Sequence, residues 1–478
     1  MRQKKWLWVL CGTASFLVTS SCWSQDTSAN QGKEASSSAS SAKEPLAPQG
    51  RPAKAEAAPA AADVSENAIF IDAMAARGFK KSANAAPVRG STVRGKGSGA
   101  AAVTAVMRRE DDGGSRGSLP LWTFRLQAAR DGQSYSGAMV GRNPFTNPGK
   151  VSVPTVVIPL IIKTTQVATA FDPTTGFFTT AEGDTTFNPN APDTTCLTAP
   201  NDIPSLVVKQ SPIFTPAKFV MGGTYVGTTE YNDAFQRANF WNVLGEDRDD
   251  YHVKLDSQFI NPITLNVPNV YGLALTNGLL LGPPAFCTPL GIVDINWFDT
   301  YLTGTVIPEL QEHGIVNPGV FPVFLVYNVV WAAPVTNLGT CCIGGYHSIT
   351  GFPIPTQTYS PADFDYTGFF LNAAGQPTPL DTSILAHEVD EWMDDPYTSN
   401  PTPPWGNTGQ VAGCAANLEV GDPLTGTNIP AITMPNGFTY HLQELAFFPW
   451  FFGGKSFSVN QWYSDNGTFT TDAGPPCH

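Results

Sequence analysis

The residues best equipped for chemistry in this chain are His387, Glu388 and Glu391, in the run Leu385-Ala386-His387-Glu388-Val389-Asp390-Glu391. An imidazole and a carboxylate four positions apart share one face of a helix, one turn from each other. His387 and Glu391 are therefore placed to hold one metal ion together, with Glu388 on the flank where a water on that metal would sit. Solvated acidic helices produce the same spacing by chance. Two features favour a metal: Trp392 and Met393 place part of this helix in a core, where a charge needs a partner, and a second acidic pair, Glu419 and Asp422, follows beyond a loop.

A helix must carry these groups, and the pattern supplies one. Ile384, Leu385, Val389, Trp392 and Met393 form an apolar stripe between Asp381 and Asp395. Asp381 or Thr382 is available as its N-cap, and Pro396 disfavours helix at Asp395. Upstream, Val320 to Trp331 is almost wholly apolar and rich in β-branched and aromatic residues, the composition of a central strand buried on both faces. Gly344 to Ile349 reads as a further strand, carrying His347.

Strands are also expected over Trp122–Leu126, Tyr135–Val140 and Val153–Thr164, the last with Pro159 marking an edge or a bulge. Thr229–Trp241 has helical spacing, with Thr228 or Thr229 as N-cap and Asp233 and Arg237 as an intrahelical ion pair. Ile295, Phe298, Leu302, Val306 and Leu310 predict another helix, which Pro308 kinks or restarts. Phe171–Asp202 and Pro401–Gly413 read as loops. The aromatic tail Tyr440–Phe452 reads as core packing, with a carbohydrate-binding face as the alternative.

With 478 residues and 42% apolar content the chain has ample material for a core. A net charge of −13, with no basic patch in the body of the chain, argues against nucleic acid or an anionic membrane surface as the main partner. Residues 1–24 read as a secretory signal peptide: Arg2, Lys4 and Lys5 precede an apolar run from Trp6 to Val18 that is too short to span a bilayer, and small residues follow to Ser24. A retained membrane anchor is the alternative. Export implies a secreted or periplasmic protein with no stable membrane insertion after cleavage.

In that compartment Cys196, Cys287, Cys341, Cys342, Cys414 and Cys477 are expected in disulfides, with the connectivity left open. Residues 25–117 are rich in Ala, Ser, Pro, Lys and Glu and read as a disordered linker or propeptide, interrupted by the apolar patch Ala68–Met74, expected as a local helix. Residues 118–478 then form the ordered domain.

The run from His387 to Asp422 resembles the zincin metallopeptidase pattern, gluzincin type, in a His-Glu-x-x-Glu variant. It is also similar to the signature of the exordium-like, phosphate-induced secreted proteins and related bacterial secreted proteins, in which such a helix ends in Asp-Pro or Asn-Pro and is followed by Glu-Ile-x-Asp-x-Cys. The matching pieces are His387-Glu388-Val389-Asp390-Glu391, Asp395-Pro396 and Glu419-Val420-Gly421-Asp422, with Cys414 preceding the glutamate instead of following it. The resemblance implies an α+β fold: a zincin-like catalytic region with a mixed β-sheet packed on an active-site helix, preceded by the disordered tether.

It also implies a zinc metallopeptidase acting on a peptide or protein. His387, Glu391 and Glu419 would hold Zn²⁺, Asp422 would orient a liganding imidazole, and Glu388 would take a proton from the water on the metal. His347, ahead of Tyr346, Tyr440 and His441, would stabilise the oxyanion. Two carboxylates and one neutral imidazole cancel the charge of a divalent ion, which weakens its acidifying power. Oxygen ligands also weaken the preference for zinc over Mn²⁺ or Ca²⁺. Two classes of function follow: a secreted metal-dependent hydrolase, or a non-catalytic cell-surface or polysaccharide-binding protein with a structural metal.

Overall fold

The computed structural model describes residues 68–70, 118–475 and 477, apart from 277–286, 288, 352–356 and 371–377. The expected signal peptide and nearly all of the 25–117 segment lie outside the described residues. Ala68–Phe70 form strand β1, not the helix expected of the Ala68–Met74 patch. The first two expected strands form as β2 (Leu121–Gln127) and β3 (Ser134–Val140) and pair as a hairpin. Next come β4 (Lys150–Asp172), β5 (Phe177–Phe187), which turns back on it, and the separate hairpin of β6 (Ala217–Met221) and β7 (Thr224–Thr229).

Beyond these, β8 (His252–Phe259) and β9 (Ile263–Asn266) run parallel to β4. They are followed by β10 (Gly272–Leu275), β11 (Leu290–Asp294), β12 (Phe321–Tyr327), β13 (Val329–Ala332), β14 (Ile343–Tyr346), β15 (Ser348–Thr350) and β16 (Gln357–Phe364). Two small hairpins close the series, β17 (Pro401–Thr408) with β18 (Val411–Asn417) and β19 (Ile432–Thr433) with β20 (Thr439–Tyr440).

Seven strands close into a barrel in the order β4, β12, β16, β14, β13, β11, β10 and back to β4. Its narrowest seams pair Gly345 with Ala362, between β14 and β16, Trp331 with Ile343, between β13 and β14, and Ala274 with Val167, between β10 and β4. This corrects the expected α+β, zincin-like fold: the chain is mostly β, its helices are few, and its main sheet is a closed barrel instead of a mixed sheet laid on an active-site helix.

The physical reason lies in β4. It runs for 23 residues, is buried on both faces from Thr155 to Leu160, and is long enough to serve β12, β10, β5, β8 and β9 along its two edges. Pro159 therefore marks no edge strand. It falls where the ladder passes from β8, ending with Phe259 opposite Val157, to β9, starting with Ile263 opposite Leu160, so its missing N–H costs little.

The Val320–Trp331 run is two strands, not one. Asn328, with φ of 53°, breaks it, and its side-chain oxygen accepts from the Tyr366 amide at 2.8 Å. Both expected loops contain strands: β4 extends into the first and pairs with β5, and the Pro-rich stretch forms β17 and the start of β18. The helix Tyr231–Asn239 forms as expected, but Glu230 is its N-cap and Asp233 does not pair with Arg237. Asp233 instead meets His252 Nδ1 and accepts from the Val253 amide, each at 2.7 Å, while Arg237 donates to the Arg248 carbonyl at 2.8 Å. Asp294 caps the helix Ile295–Tyr301 through its carboxylate, and Pro308 opens a restarted helix, Ile307–Glu312.

The two faces of the β4–β12–β16 wall pack differently. Ile158, Leu160, Phe324, Val326 and Tyr359 meet Phe298, Leu302 and Ile307 on one face. Val157, Phe321, Val323 and Ala362 meet the helix Ser383–Asp394 on the other, where Phe321 stacks on Trp392 with ring centroids 3.5 Å apart. The aromatic tail joins that second core, as its core reading requires. Burying Ile384, Leu385, Val389, Trp392 and Met393 contributes about 1.5–3 kcal/mol each. This apolar anchoring holds a helix that also buries four carboxylates, those of Glu388, Asp390, Glu391 and Asp394.

Disulfides join Cys196 to Cys287, Cys341 to Cys342 and Cys414 to Cys477. The first closes a span of 91 residues. Replacing both of its cysteines by serine is expected to lower unfolding stability by about 2–4 kcal/mol in urea titrations, and an unchanged midpoint would refute that contribution. Among the described residues no helix is long and apolar enough to cross a membrane.

Candidate metal centre

The helix Ser383–Asp394 carries His387, Glu388 and Glu391, and all twelve of its residues are buried. It lies against β14 and β16. Its close approach to β14 depends on Gly345: a Cβ there would sit 2.7 Å from Glu388 Cγ and 3.0 Å from Ile384 Cγ2. Two residues later the chain leaves β14, and His347, between β14 and β15, is delivered into the centre. On the other side, the segment after β18 brings in Glu419 and Asp422. Gly421 passes so close to the imidazole of His387 that a Cβ would lie 2.4 Å from Nδ1.

These elements gather two histidines and four carboxylates, none more than 2% exposed. His347 Nδ1 lies 3.6 Å from Glu388 Oε2 and 3.7 Å from Glu391 Oε2, and its Nε2 lies 3.8 Å from Glu419 Oε2. Neither ring nitrogen makes a well-formed hydrogen bond. On the far side of Glu391, His387 Nε2 lies 3.0 Å from Glu391 Oε1 and 3.4 Å from Asp422 Oδ1.

Supporting polar groups fix these side chains. The Gly421 and Asp422 amides donate to Glu391 Oε1 at 3.0 and 3.2 Å. Asn417 Nδ2 donates to Glu419 Oε1 at 2.8 Å, and Gln410 Nε2 donates to Asp422 Oδ1. Gln443 faces His387 Nδ1 with Oε1 at 3.1 Å and donates its Nε2 to the Gly421 carbonyl at 2.7 Å.

The electrostatics follow from burial and from the close approach of imidazoles and carboxylates. Desolvation pushes His347 down to about 4 against the opposing pull of Glu391, so it is a neutral imidazole at pH 7. Burial also works against charge on His387, but Glu391 and Asp422 outweigh it and hold its pKa well above the ordinary value. Glu391 would rise by burial, yet the imidazoles of His387 and His347 bring it below the usual carboxylate range. Burial, then the charge of Glu391, raises Glu419 far above that range and Asp422 to about 7. Among the described residues no lysine or arginine forms an ion pair with Glu391, Glu419 or Asp422.

Two groups of donors are close enough to share an ion: His347, Glu388 and Glu391, and His387, Glu391 and Asp422. Two atoms bound at about 2.0–2.1 Å to a tetrahedral ion lie roughly 3.3 Å apart, close to the separations of 3.0–3.7 Å seen around the two histidines. The six residues singled out in the sequence for this centre, His387, Glu388, Glu391, Glu419, Asp422 and His347, thus meet in one place. His387 and Glu419 stand on opposite sides of Glu391, however, and His347 faces Glu388, Glu391 and Glu419 directly.

The other oxyanion candidates are engaged elsewhere. Tyr346 donates to Asp299, Tyr440 donates to the Val207 carbonyl, and His441 Nδ1 meets Asp381 at 2.6 Å. Gln443, Asn417 and Gln410 escaped the sequence reading, because a single amide within an aromatic tail or a turn carries no local signal. Comparison of the chain with protein-family models, curated proteins and solved structures returns no match.

Proposed function

We propose that this protein is an exported metal-dependent hydrolase whose centre holds a divalent cation on His347, Glu388 and Glu391. The observation that carries this reading is the buried imidazole of His347, whose ring nitrogens make no well-formed hydrogen bond and face carboxylate oxygens of Glu388, Glu391 and Glu419 at 3.6–3.8 Å. The cation would act as a Lewis acid and make a nearby water more acidic. Zn²⁺ suits the imidazole, and the oxygen-rich donor set suits Mn²⁺ or Ca²⁺ as well.

Glu419 is the base in this scheme. Asn417 holds its Oε1, while Oε2 has no hydrogen-bond partner and faces the centre. A divalent ion beside it would favour its ionised form, and that carboxylate would take a proton from a water attacking a substrate carbonyl and return it to the leaving amine as the carbon–nitrogen bond breaks. A peptide is the substrate class this chemistry fits, and export is supported by the N-terminal sequence and by the three disulfides.

Glu419→Gln is expected to keep its metal and lose hydrolysis by about 10²–10⁴-fold, whereas Glu388→Gln loses metal. Metal analysis and turnover of a peptide library read the two effects separately. The opposite pattern would make Glu388 the base and Glu419 the ligand.

A second reading, a structural metal in a non-catalytic cell-surface or polysaccharide-binding protein, is favoured by the burial of every donor. That burial has a feature a hydrolase would use: β1 pairs antiparallel with β14 beside His347, Ala68 opposite Tyr346, and also packs on the helix Ser383–Asp394. Hydrolysis that appears only after proteolysis of the chain before residue 118 supports the enzyme. A loaded but inert protein before and after that cleavage supports the structural metal.

A further inference from the structure

Resting on the metal-centre reading, we infer that the centre is built for two divalent cations bridged by the carboxylate of Glu391. Glu391 turns a different oxygen to each histidine. Its Oε2 faces His347 Nδ1 at 3.7 Å, with Glu388 Oε2 at 3.6 Å from the same nitrogen. Its Oε1 faces His387 Nε2 at 3.0 Å, with Asp422 Oδ1 at 3.4 Å from that nitrogen. Each set therefore has one imidazole, one terminal carboxylate and one half of a shared carboxylate, and a carboxylate bridge suits ions about 3.5–4 Å apart.

The second position rests on more than the clustering of acids. His387 Nε2 is wholly buried and makes no hydrogen bond, although two oxygens lie within 3.4 Å of it. The state of that nitrogen follows from its neighbours. The Gly421 carbonyl only accepts, so the Gln443 amide nitrogen must face it and the Gln443 oxygen must face His387 Nδ1. An amide oxygen also only accepts, so Nδ1 carries a proton, which leaves Nε2 of the neutral ring with its lone pair toward Glu391 and Asp422. Three electron-pair donors then converge on one point.

Charge balance agrees. Once ionised by metal binding, Glu388, Glu391, Glu419 and Asp422 would bring four negative charges into the site, where among the described residues no arginine or lysine forms an ion pair with Glu391, Glu419 or Asp422. One divalent ion leaves two of those charges uncompensated in a buried site, and two divalent ions neutralise all four. The rival account is a proton on His387 Nε2 in place of the second ion.

Full-length protein stripped with chelator and titrated with Mn²⁺ should take up two ions per chain, and the pair should show the exchange-coupled electron paramagnetic resonance spectrum of neighbouring Mn²⁺ ions. That measurement needs no variant. His387→Ala and the size-conserving Asp422→Asn should each reduce uptake to one ion and leave the uncoupled spectrum, and His347→Ala should do the same from the other side. A wild-type protein that takes up one uncoupled ion, kept by His387→Ala and lost by His347→Ala, would overturn the second position and leave the mononuclear centre standing. No uptake by the wild type overturns both.

Discussion

Glu391→Gln should leave the purified protein without metal. The substitution is nearly isosteric, and the retained oxygen can still accept from the Gly421 and Asp422 amides that hold Oε1. The new amide nitrogen then takes the place of Oε2, facing His347 Nδ1 at the 3.7 Å that Oε2 holds. An amide nitrogen has no lone pair to offer a metal. The loss should exceed the roughly 10–100-fold that removal of a supporting hydrogen bond costs in metal affinity. By contrast, Gln443→Leu removes only the partner of His387 Nδ1 and should stay within that range. Metal content by mass spectrometry and Zn²⁺ competition against a chromogenic chelator read both variants. A Glu391→Gln protein that retains wild-type metal would remove Glu391 from the centre, and with it every role assigned to its neighbours.

That His387 and Glu391 lie together was legible because a helix turns spacing into geometry: residues four apart must lie on one face, whatever the rest of the chain does. The helix itself was legible for the same reason, through the stripe of Ile384, Leu385, Val389, Trp392 and Met393. His347 was placed near the centre only through resemblance to a peptidase pattern. Its approach is set by the seam between β14 and β16 and by the missing side chain of Gly345, neither of which leaves a periodic trace. The barrel was hidden in the same way. Closure rests on pairings such as Ala274 with Val167, over a hundred positions apart, and on a single strand, β4, whose Pro159 suggested an edge or a bulge. Composition announced strands, and only register shows that they form a ring.

The metal-free protein should lose stability as pH rises, and Asp465 and Glu230 should be among the buried acids that contribute to the loss. Burial raises Asp465 to about 8 and Glu230 to about 7, well above the values near 4 of the unfolded chain. The folded state then holds protons that the unfolded state releases. Their stabilising effect is complete below about pH 4 and is lost as pH rises through 7 to 8, at about 1.4 kcal/mol for each unit of displacement. Urea midpoints at pH 9 should therefore correspond to a protein a few kcal/mol less stable than at pH 5.

Asp465 has a structural reason to keep its proton. The Tyr231 hydroxyl has one hydrogen and two acceptors, the Gln443 carbonyl at 2.5 Å and Asp465 Oδ2 at 2.6 Å. When Asp465 is protonated it donates to Tyr231, and Tyr231 donates to Gln443, so every group is satisfied. Asp465→Asn reproduces that pattern permanently. Its amide nitrogen donates to Tyr231 while its oxygen accepts from the Leu445 amide, as Asp465 Oδ1 does at 3.1 Å. The variant should match the wild type at pH 5 and exceed it at pH 9, with a flatter slope between. An unchanged slope would place the pH dependence in other buried acids and remove Asp465 from the account.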